Sequence, residues 1–235
     1  EVAAVWDAMI AELDRDDVVT LSPPGFGGDM PTGFGSTYSE YAQWLVGALA
    51  DIPGPIHLIG HDWGGGHVIT ATLLDPTLAA SVTTDIAGCF APGYVWHDMA
   101  QLWRTPGAGE EAIADGAARS TEERVEFFVA LGMNAHAAEQ CALAAPLMGP
   151  SVLALYRSAD ESVLQRAGTE IASLDHRPDL HLIIPSEDTY TGGSERAAFT
   201  ASAWGATVHH LDGLGHWWMM EDPARAADVV RTIAT

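Results

Sequence analysis

Residues 55–67 read Pro55-Ile-His-Leu-Ile-Gly60-His61-Asp62-Trp63-Gly64-Gly65-Gly66-His67. The apolar first half predicts a buried β-strand, and the stretch that follows the glycines predicts a helix. A turn this tight between strand and helix needs strained backbone angles, and we expect Gly60, Gly64 and Gly65 to provide room where a Cβ would collide. The pattern Gly-x-nucleophile-x-Gly-Gly then puts Asp62 at the apex, in the position of a reactive side chain.

Short apolar runs alternate with amphipathic stretches along the chain, which predicts an α/β fold with a mostly parallel sheet flanked by helices. The predicted strands are 17–21, 55–60, 179–185 and the more polar 81–86, and the predicted helices are 2–13, 39–50, 65–74 and 223–233. Asp222 as N-cap and Pro223 at the first helical position favour the start of the last helix. Residues 90–176 are Ala-rich and helical in pattern, so we expect a helical lid inserted into a core of residues 1–89 and 177–235.

The strongly acidic composition argues against some classes of binding partner. The chain has 235 residues and a net charge of -22, and all ten basic residues are Arg. Such a surface repels phosphate backbones and anionic membranes, so we expect neither nucleic acid nor a membrane as partner. The sequence has neither a membrane-spanning apolar run nor a signal-peptide pattern, which leads us to expect a cytoplasmic protein. Cys89 and Cys141 fit neither a disulfide framework nor a zinc site and are expected to be small core residues.

The segment His57–His67 resembles the nucleophile turn of epoxide hydrolases and haloalkane dehalogenases, the branch of the α/β-hydrolase superfamily that uses an aspartate nucleophile. The loop Ser22-Pro-Pro-Gly-Phe-Gly-Gly28 is similar to the family's Asp-x-Pro-Gly-x-Gly loop, with Ser22 in place of the usual Asp. The likeness resumes with the strand near Ile183 and with Leu211-Asp-Gly-Leu-Gly-His-Trp-Trp218, and it covers most of the core. It implies an α/β-hydrolase fold with an inserted helical lid and no cofactor.

The resemblance also implies a catalytic triad in which Asp62 is the nucleophile, Asp188 the acid and His216 the base. Asp188 ends Pro185-Ser-Glu-Asp188, three residues after a position that is normally Gly. Glu187 is an adjacent competitor, and Asp85 lies at the end of an earlier strand, where some dehalogenases keep their acid. His61 is expected to be a packed, hydrogen-bonded neighbour of the nucleophile. No metal site is predicted, because the other histidines of the core lack the spacing of metal ligands: His57, His67, His181, His209 and His210.

An aspartate nucleophile limits the chemistry. A carboxylate is ionised at pH 7 and needs no base for its first attack. It can open a strained ring or displace halide at a saturated carbon, which leaves an alkyl ester on Asp62. Water deprotonated by His216 would then attack the ester carbonyl, with Asp188 orienting the imidazole and stabilising its charged form. Esterase, lipase and peptidase chemistry is disfavoured because it uses Ser or Cys.

The donors to the leaving group distinguish the two reactions. Trp63 follows the nucleophile in both groups, and its backbone N–H is expected to face the developing oxyanion. Epoxide hydrolases use two lid tyrosines, and the candidates are Tyr156, whose Tyr156-Arg157 resembles their Tyr-Arg pair, and Tyr94. The candidate N–H donors to halide, which would also line the lid, are Trp96, His97 and Trp103. These aromatic residues favour a small apolar organic substrate. Fluoroacetate dehalogenases carry an Arg that holds a carboxylate at the position of Trp63, so we do not expect a small anionic substrate.

One part of the family pattern has no counterpart. The family's third strand and its His-Gly-x-Pro loop would precede helix 2–13, and that strand lies centrally in the sheet. Its loss would leave buried backbone groups unpaired, at about 1–3 kcal/mol each, so we expect residues upstream of Glu1 or another segment to fill the gap. The leading hypothesis is an epoxide hydrolase-like enzyme. The alternatives are a haloalkane dehalogenase-like enzyme and a non-catalytic small-molecule-binding protein of the same fold, and the sequence does not predict the oligomeric state.

Overall fold

A computed structural model describes residues 1–234 of the chain. Its α-helices are α1 (Asp7–Leu13), α2 (Tyr38–Leu49), α3 (Trp63–Leu74), α4 (Asp98–Arg104), α5 (Ala108–Ala118), α6 (Thr121–Leu131), α7 (Ala135–Ser158), α8 (Glu161–Ala172), α9 (Gly193–Trp204), α10 (Trp218–Glu221) and α11 (Pro223–Ile233). Its strands are β1 (His57–Gly60), β2 (Ser81–Thr84), β3 (Asp179–Pro185) and β4 (Thr207–Leu211), and two short 3₁₀ helices cover Ala3–Trp6 and Ala87–Phe90.

The chain divides into two compact units. The first contains residues Glu1–Thr37, His97–Ser158 and Trp217–Arg231, and the second contains Tyr38–Trp96, Ala159–His216 and the chain end from Thr232. The second unit holds the sheet, and the first holds helices α4 to α7.

The sheet of the second unit is fully parallel. Among the residues that the structure describes it has four strands in the order β1-β2-β3-β4, which is also their order along the chain. The register pairs Gly60 with Thr84, Thr84 with Leu182, and Pro185 with Leu211. Because parallel strands end at the same edge of a sheet, the loops after all four strands emerge side by side.

Apolar burial stabilises this sheet. Val82 of β2 is buried, as are the three polar residues of that strand, and Leu182 and Ile183 of β3 are fully enclosed. Helix α3 packs on β1, β2, α2 and α8, and α9 packs on β3. Burying each such Leu or Ile side chain contributes roughly 1.5–3 kcal/mol, so the core anchors the strand ends that carry the loops.

The first unit is built from helices packed on α7. Helices α4, α5 and α6 all contact α7. Helix α6 begins with a capping box, in which the Ser120 hydroxyl accepts from the Glu123 N–H and the Glu123 carboxylate accepts from the Ser120 N–H. In the loop near the start of the chain, the hydroxyl of Ser22 accepts a hydrogen bond from the Ala3 N–H at 3.1 Å. Most of the Ala-rich stretch of the sequence is helical, in α4 to α7 of this unit and in α8 of the second unit.

Some of the predicted helices and strands are present in the structure, and others are not. Helix 223–233 has the predicted bounds, and the Asp222 carboxylate accepts from the Arg225 N–H at 3.1 Å as its cap. The strand predicted at 17–21 is wrong: this segment forms no strand, because no other segment in the described part of the chain pairs with it. The helix predicted at 2–13 divides into the 3₁₀ turn Ala3–Trp6 and α1. Strand β4 was not predicted because His209 and His210 hide its apolar pattern.

Residues 90–176 form no strand, and their role as an inserted lid stays a prediction. In the described part of the chain, no helix combines the length and the apolar character that crossing a membrane requires.

Candidate active site

The turn between β1 and α3 has the strained geometry that its sequence predicts. Asp62 has φ 49° and ψ -125°, a conformation that L residues rarely adopt, and the next residue begins α3. A Cβ on Gly60 would lie 2.3 Å from the carbonyl oxygen of Gly64, and one on Gly65 would lie 2.4 Å from Oγ1 of Thr84. Gly64 is different, since a Cβ there would meet no atom within 4 Å. The expectation that Gly64 prevents a collision is therefore wrong, whereas it is confirmed for Gly60 and Gly65.

The loops after β3 and β4 bring His216 to Asp188. Nδ1 of His216 donates to Oδ2 of Asp188 at 2.8 Å, and both side chains are buried. The Tyr190 N–H donates to the other carboxylate oxygen at 2.7 Å. Burial alone would raise the pKa of the Asp188 carboxyl, but the hydrogen bonds from His216 and Tyr190 outweigh it, so this pKa lies below its ordinary value. A carboxylate held ionised in this way fixes the His216 tautomer that carries its proton on Nδ1.

A second imidazole–carboxylate pair lies beside the first. Nδ1 of His61 donates to Oδ2 of Asp85 at 2.5 Å, and the backbone N–H of Asp62 donates to Oδ1 of the same carboxylate at 3.0 Å. Both side chains of the pair are buried. The expectation of a packed, hydrogen-bonded His61 is thus confirmed, and Asp85 connects it to the backbone of Asp62.

The two pairs and Asp62 form one cluster. The rings of His61 and His216 lie 4.6 Å apart between centroids. The thiol of Cys89 is buried in the 3₁₀ turn that follows Asp85, and burial raises its pKa. The negative charges of Asp62, Asp188 and Asp85 raise this pKa further, which shows that all three carboxylates lie near the thiol. Asp62 itself is half-buried. The four loops therefore gather one carboxylate on a strained turn and two imidazoles, each with its own carboxylate.

The three acidic candidates have different surroundings. Asp188 is paired with His216, and Asp85 with His61. Glu187 is exposed, accepts from the Ser186 hydroxyl at 3.1 Å, and donates its backbone N–H to Leu214. This geometry favours Asp188 as the acid that acts with His216.

Three of the predicted aromatic residues lie in the same unit as this cluster. The rings of Trp63 and Trp96 lie 5.3 Å apart with an interplanar angle of 33°, and Tyr94 meets Trp96 edge-on at 5.3 Å. The hydroxyl of Tyr94 donates to the carbonyl of Tyr190 at 3.2 Å. The three side chains thus pack as one aromatic group, and one of them, Trp63, directly follows Asp62 in the chain.

The other three predicted residues lie together in the first unit. The buried ring of Tyr156, near the end of α7, packs on Trp103 at 5.0 Å and lies edge-on to His97 at 6.5 Å. Its neighbour Arg157 forms an ion pair with Glu110 of α5 at 2.6 Å. The Tyr-Arg pair therefore has one aromatic member buried inside the unit and one charged member that connects two helices.

Sequence reasoning missed Tyr190. Its backbone N–H holds Asp188, its carbonyl accepts from Tyr94, and its ring lies 5.0 Å from that of His216. The sequence carries no signal for this role, because two of the three contacts involve backbone atoms and depend on how the loop after β3 folds.

The model of the alpha/beta hydrolase family matches residues 2–229, so the chain belongs to that family. The protein is accordingly a hydrolase of the α/β-hydrolase fold, as the sequence predicts. A search of curated proteins found no match.

Solved structures share this fold at low sequence identity. A meta-cleavage product hydrolase from Pseudomonas fluorescens superposes with a TM-score of 0.72 at 15% identity, over 100% of this chain and 85% of that one. Epoxide hydrolase A from Mycobacterium thermoresistibile gives 0.70 at 18% identity, over 99% and 87%. The thioesterase domain from the curacin biosynthetic pathway gives 0.71 at 11% identity, over 99% and 87%. Relatives with such different names share the fold, and the fold alone does not select among their activities.

Proposed function

We propose that the protein hydrolyses epoxides of small apolar molecules to vicinal diols through an alkyl ester on Asp62. The observation that carries this proposal is the carboxylate of Asp62 on a strained strand-to-helix turn, next to a buried His216–Asp188 pair. A serine at that position would need a base before attack, whereas a carboxylate is already a nucleophile at pH 7. A carboxylate that attacks a saturated carbon leaves an ester, and an imidazole is the group that activates water to cleave it.

The proposed cycle has two covalent steps. A carboxylate oxygen of Asp62 attacks a ring carbon, the carbon–oxygen bond of the epoxide breaks, and the alkoxide takes a proton from a tyrosine hydroxyl. Nε2 of His216 then removes a proton from water, and the hydroxide attacks the carbonyl carbon of the Asp62 ester. The diol oxygen leaves with the proton from His216. The carboxyl group left on Asp62 then gives its proton to the tyrosinate, which restores both the Asp62 carboxylate and the tyrosine hydroxyl. The cycle consumes only the epoxide and water, and Asp188 stabilises the imidazolium that forms between the two proton transfers.

Two tyrosines are the candidate proton donors. Tyr156 carries the Tyr-Arg resemblance, and its hydroxyl would stabilise the alkoxide as it forms. Tyr94 already donates to the carbonyl of Tyr190 and would have to exchange that bond for one to the substrate. We assign the main role to Tyr156 because it carries that resemblance. The backbone N–H of Trp63, at the start of α3, is the candidate donor to the oxyanion of the second step.

One observation favours haloalkanes as a second candidate class. The indole rings of Trp63 and Trp96 lie 5.3 Å apart beside the nucleophile turn, and indole N–H groups are suitable donors to a leaving halide. The first step would then break a carbon–halogen bond and give the same kind of ester on Asp62.

A variant that cannot activate water distinguishes these reactions. His216→Gln should accumulate the ester, and intact-mass spectrometry after incubation with epoxide and haloalkane panels should show it. An epoxide adds its whole mass, whereas a haloalkane adds its mass less HX. The control is His216→Gln combined with Asp62→Asn, which should stay unlabelled. If ligands bind but no adduct forms with either panel, the protein is a non-catalytic binding protein and the proposal is wrong.

A further inference from the structure

The carboxylate of Asp85 uses both of its oxygens on two consecutive residues of the nucleophile turn. One accepts from the imidazole of His61 at 2.5 Å and the other from the backbone N–H of Asp62 at 3.0 Å. We call His61 and Asp85 the brace. Asp85 is 4% exposed and His61 7% exposed, so water cannot replace either bond at low cost.

The strand register explains how the brace forms. Gly60, the last residue of β1, pairs with Thr84, the last residue of β2. The next residues, His61 and Asp85, therefore leave neighbouring strands at the same level. The Thr84 hydroxyl accepts from the Ile86 N–H at 3.3 Å, which turns the chain just beyond Asp85. The position of Asp85 is thus fixed by the same sheet that fixes Asp62.

The two carboxylates of the cluster hold different parts of it. Asp188 is bonded to His216, the group that acts on water in the proposed cycle. Asp85 is bonded to the turn that carries the nucleophile, and Asp62 keeps its unusual φ of 49° only while the surrounding structure imposes it. A carboxylate that accepts a strong hydrogen bond from the backbone of that residue is well placed to impose it.

We propose that Asp85, acting with His61, is the positioning residue of the nucleophile, so that the brace sets the rate at which Asp62 is alkylated while Asp188 sets the rate at which the ester is hydrolysed. This inference rests on the proposed role of Asp62. It assigns to Asp85 a function separate from that of the acid of the triad. A nucleophile displaced by about 1 Å can lose about 100-fold in rate, so a loosened brace should have a measurable effect.

Asp85→Asn tests the brace with little change in shape. An amide has one acceptor and one donor side, so it cannot accept from both the His61 ring and the Asp62 N–H. In the His216→Gln background, which separates alkylation from hydrolysis, Asp85→Asn should slow adduct formation about 10- to 100-fold. The matched control, Glu187→Gln in the same background, should stay within about threefold of the parent, because Glu187 is exposed and its hydrogen bonds go to Ser186 and Leu214 and not to the turn. Equal rates with and without Asp85 would overturn the proposal.

A second readout does not depend on any substrate. The proton on Nδ1 of His61 lies in a short buried hydrogen bond, so it should give a resolved low-field resonance in ¹⁵N-histidine-labelled protein. His61→Gln identifies this signal by its loss. It should vanish or move in Asp85→Asn and persist in Asp188→Asn, and its persistence unchanged in Asp85→Asn would show that no brace exists. If the parent forms no adduct with any epoxide or haloalkane, the proposed function fails while this signal still decides whether the brace is present.

His61→Gln also covers the case in which Asp85→Asn does not fold, as thermal unfolding would reveal. This variant removes one arm of the brace and leaves the bond from the Asp62 backbone. In the His216→Gln background it should slow alkylation measurably, and an unchanged rate would overturn the role of His61 in the brace.

Discussion

His61 and His216 lie with ring centroids 4.6 Å apart, and each donates from Nδ1 to a different buried carboxylate. Two imidazoles at this distance disfavour carrying positive charge together, because the second charge would repel the first in a site with little water. Hydrolysis of the ester needs only one proton acceptor. The proposed cycle assigns that work to His216, whose carboxylate partner stabilises the charge.

Asp188→Asn should lower turnover about 10²- to 10⁴-fold, because an amide stabilises the imidazolium of His216 poorly and can select the wrong tautomer. The measurement is the steady-state turnover rate on the substrate that forms an adduct with the His216→Gln variant. Glu187→Gln is the matched control, since Glu187 is exposed and adjacent in sequence. A loss of activity in the Glu187 variant, with normal activity in the Asp188 variant, would reverse the assignment of the acid.

The same carboxyl should contribute to stability at neutral pH. Since the pKa of Asp188 is lowered in the folded protein, its contribution is present above the unfolded value of about 4 and is lost as pH falls through the lower folded value. The difference in the free energy of unfolding between the wild type and Asp188→Asn should therefore shrink below about pH 4. Urea unfolding at a series of pH values measures it. A difference that stays constant from pH 7 to pH 3 would contradict the lowered pKa.

His67→Phe should make the protein less sensitive to acid. His67 is 2% exposed, its ring stacks on Tyr41 at 4.7 Å, neither ring nitrogen has a hydrogen-bond partner in the described structure, and burial lowers its pKa to about 3. The unfolded chain takes up a proton here below about pH 6.5 and the folded chain does not, so wild-type stability falls by up to about 1.4 kcal/mol per pH unit as the pH drops.

Phenylalanine keeps the stacked shape and removes the titrating group. Urea unfolding between pH 7 and pH 4 should therefore show a shallower loss of stability for His67→Phe than for the wild type. His176→Gln, at an exposed position, is the control and should keep the wild-type slope. Identical slopes for His67→Phe and the wild type would mean that His67 titrates normally in the folded protein.

Gly60→Ala should destabilise the nucleophile turn, since its Cβ would lie 2.3 Å from the backbone oxygen of Gly64. We expect a loss of about 1–3 kcal/mol in the free energy of unfolding. Gly64→Ala is the matched control: its Cβ has open space, and alanine in a helix is favoured over glycine by up to about 1 kcal/mol. Thermal or urea unfolding compares the two variants. Equal destabilisation by both would show that the turn is not as tight as its geometry indicates.

Tyr156→Phe should slow epoxide opening about 10- to 1,000-fold, which corresponds to about 1.4–4 kcal/mol of transition-state stabilisation. The phenyl ring retains the packing on Trp103, so the fold should persist. Adduct formation in the His216→Gln background measures the effect, and alkylation by a haloalkane, which needs no such proton, should be unchanged. An unaltered rate with epoxides would exclude Tyr156 as the proton donor and leave Tyr94 as the remaining candidate.

The segment from Pro55 to His67 shows how far local sequence can predict structure. An apolar run followed by glycines defines a strand, a turn and a helix, since each depends on contacts within a few residues. The same holds for α11, whose cap and first residue are Asp222 and Pro223. The strand predicted at 17–21 failed for the opposite reason: a strand exists only when another segment takes up its hydrogen bonds, and no local pattern shows whether that segment is present.

The sequence by itself therefore determined the α/β-hydrolase superfamily, the carboxylate at the turn and the order in which Asp188 and His216 follow it. Only the tertiary structure decided that Asp188 bonds to His216 while Asp85 bonds to His61 and to the backbone of Asp62. Both carboxylates follow buried strands, and the family position that favours Asp188 as the acid does not show what Asp85 bonds to. Their partners depend on the sheet register, which sets strand ends from distant parts of the chain at the same level, and that register arises from burial across the whole sheet.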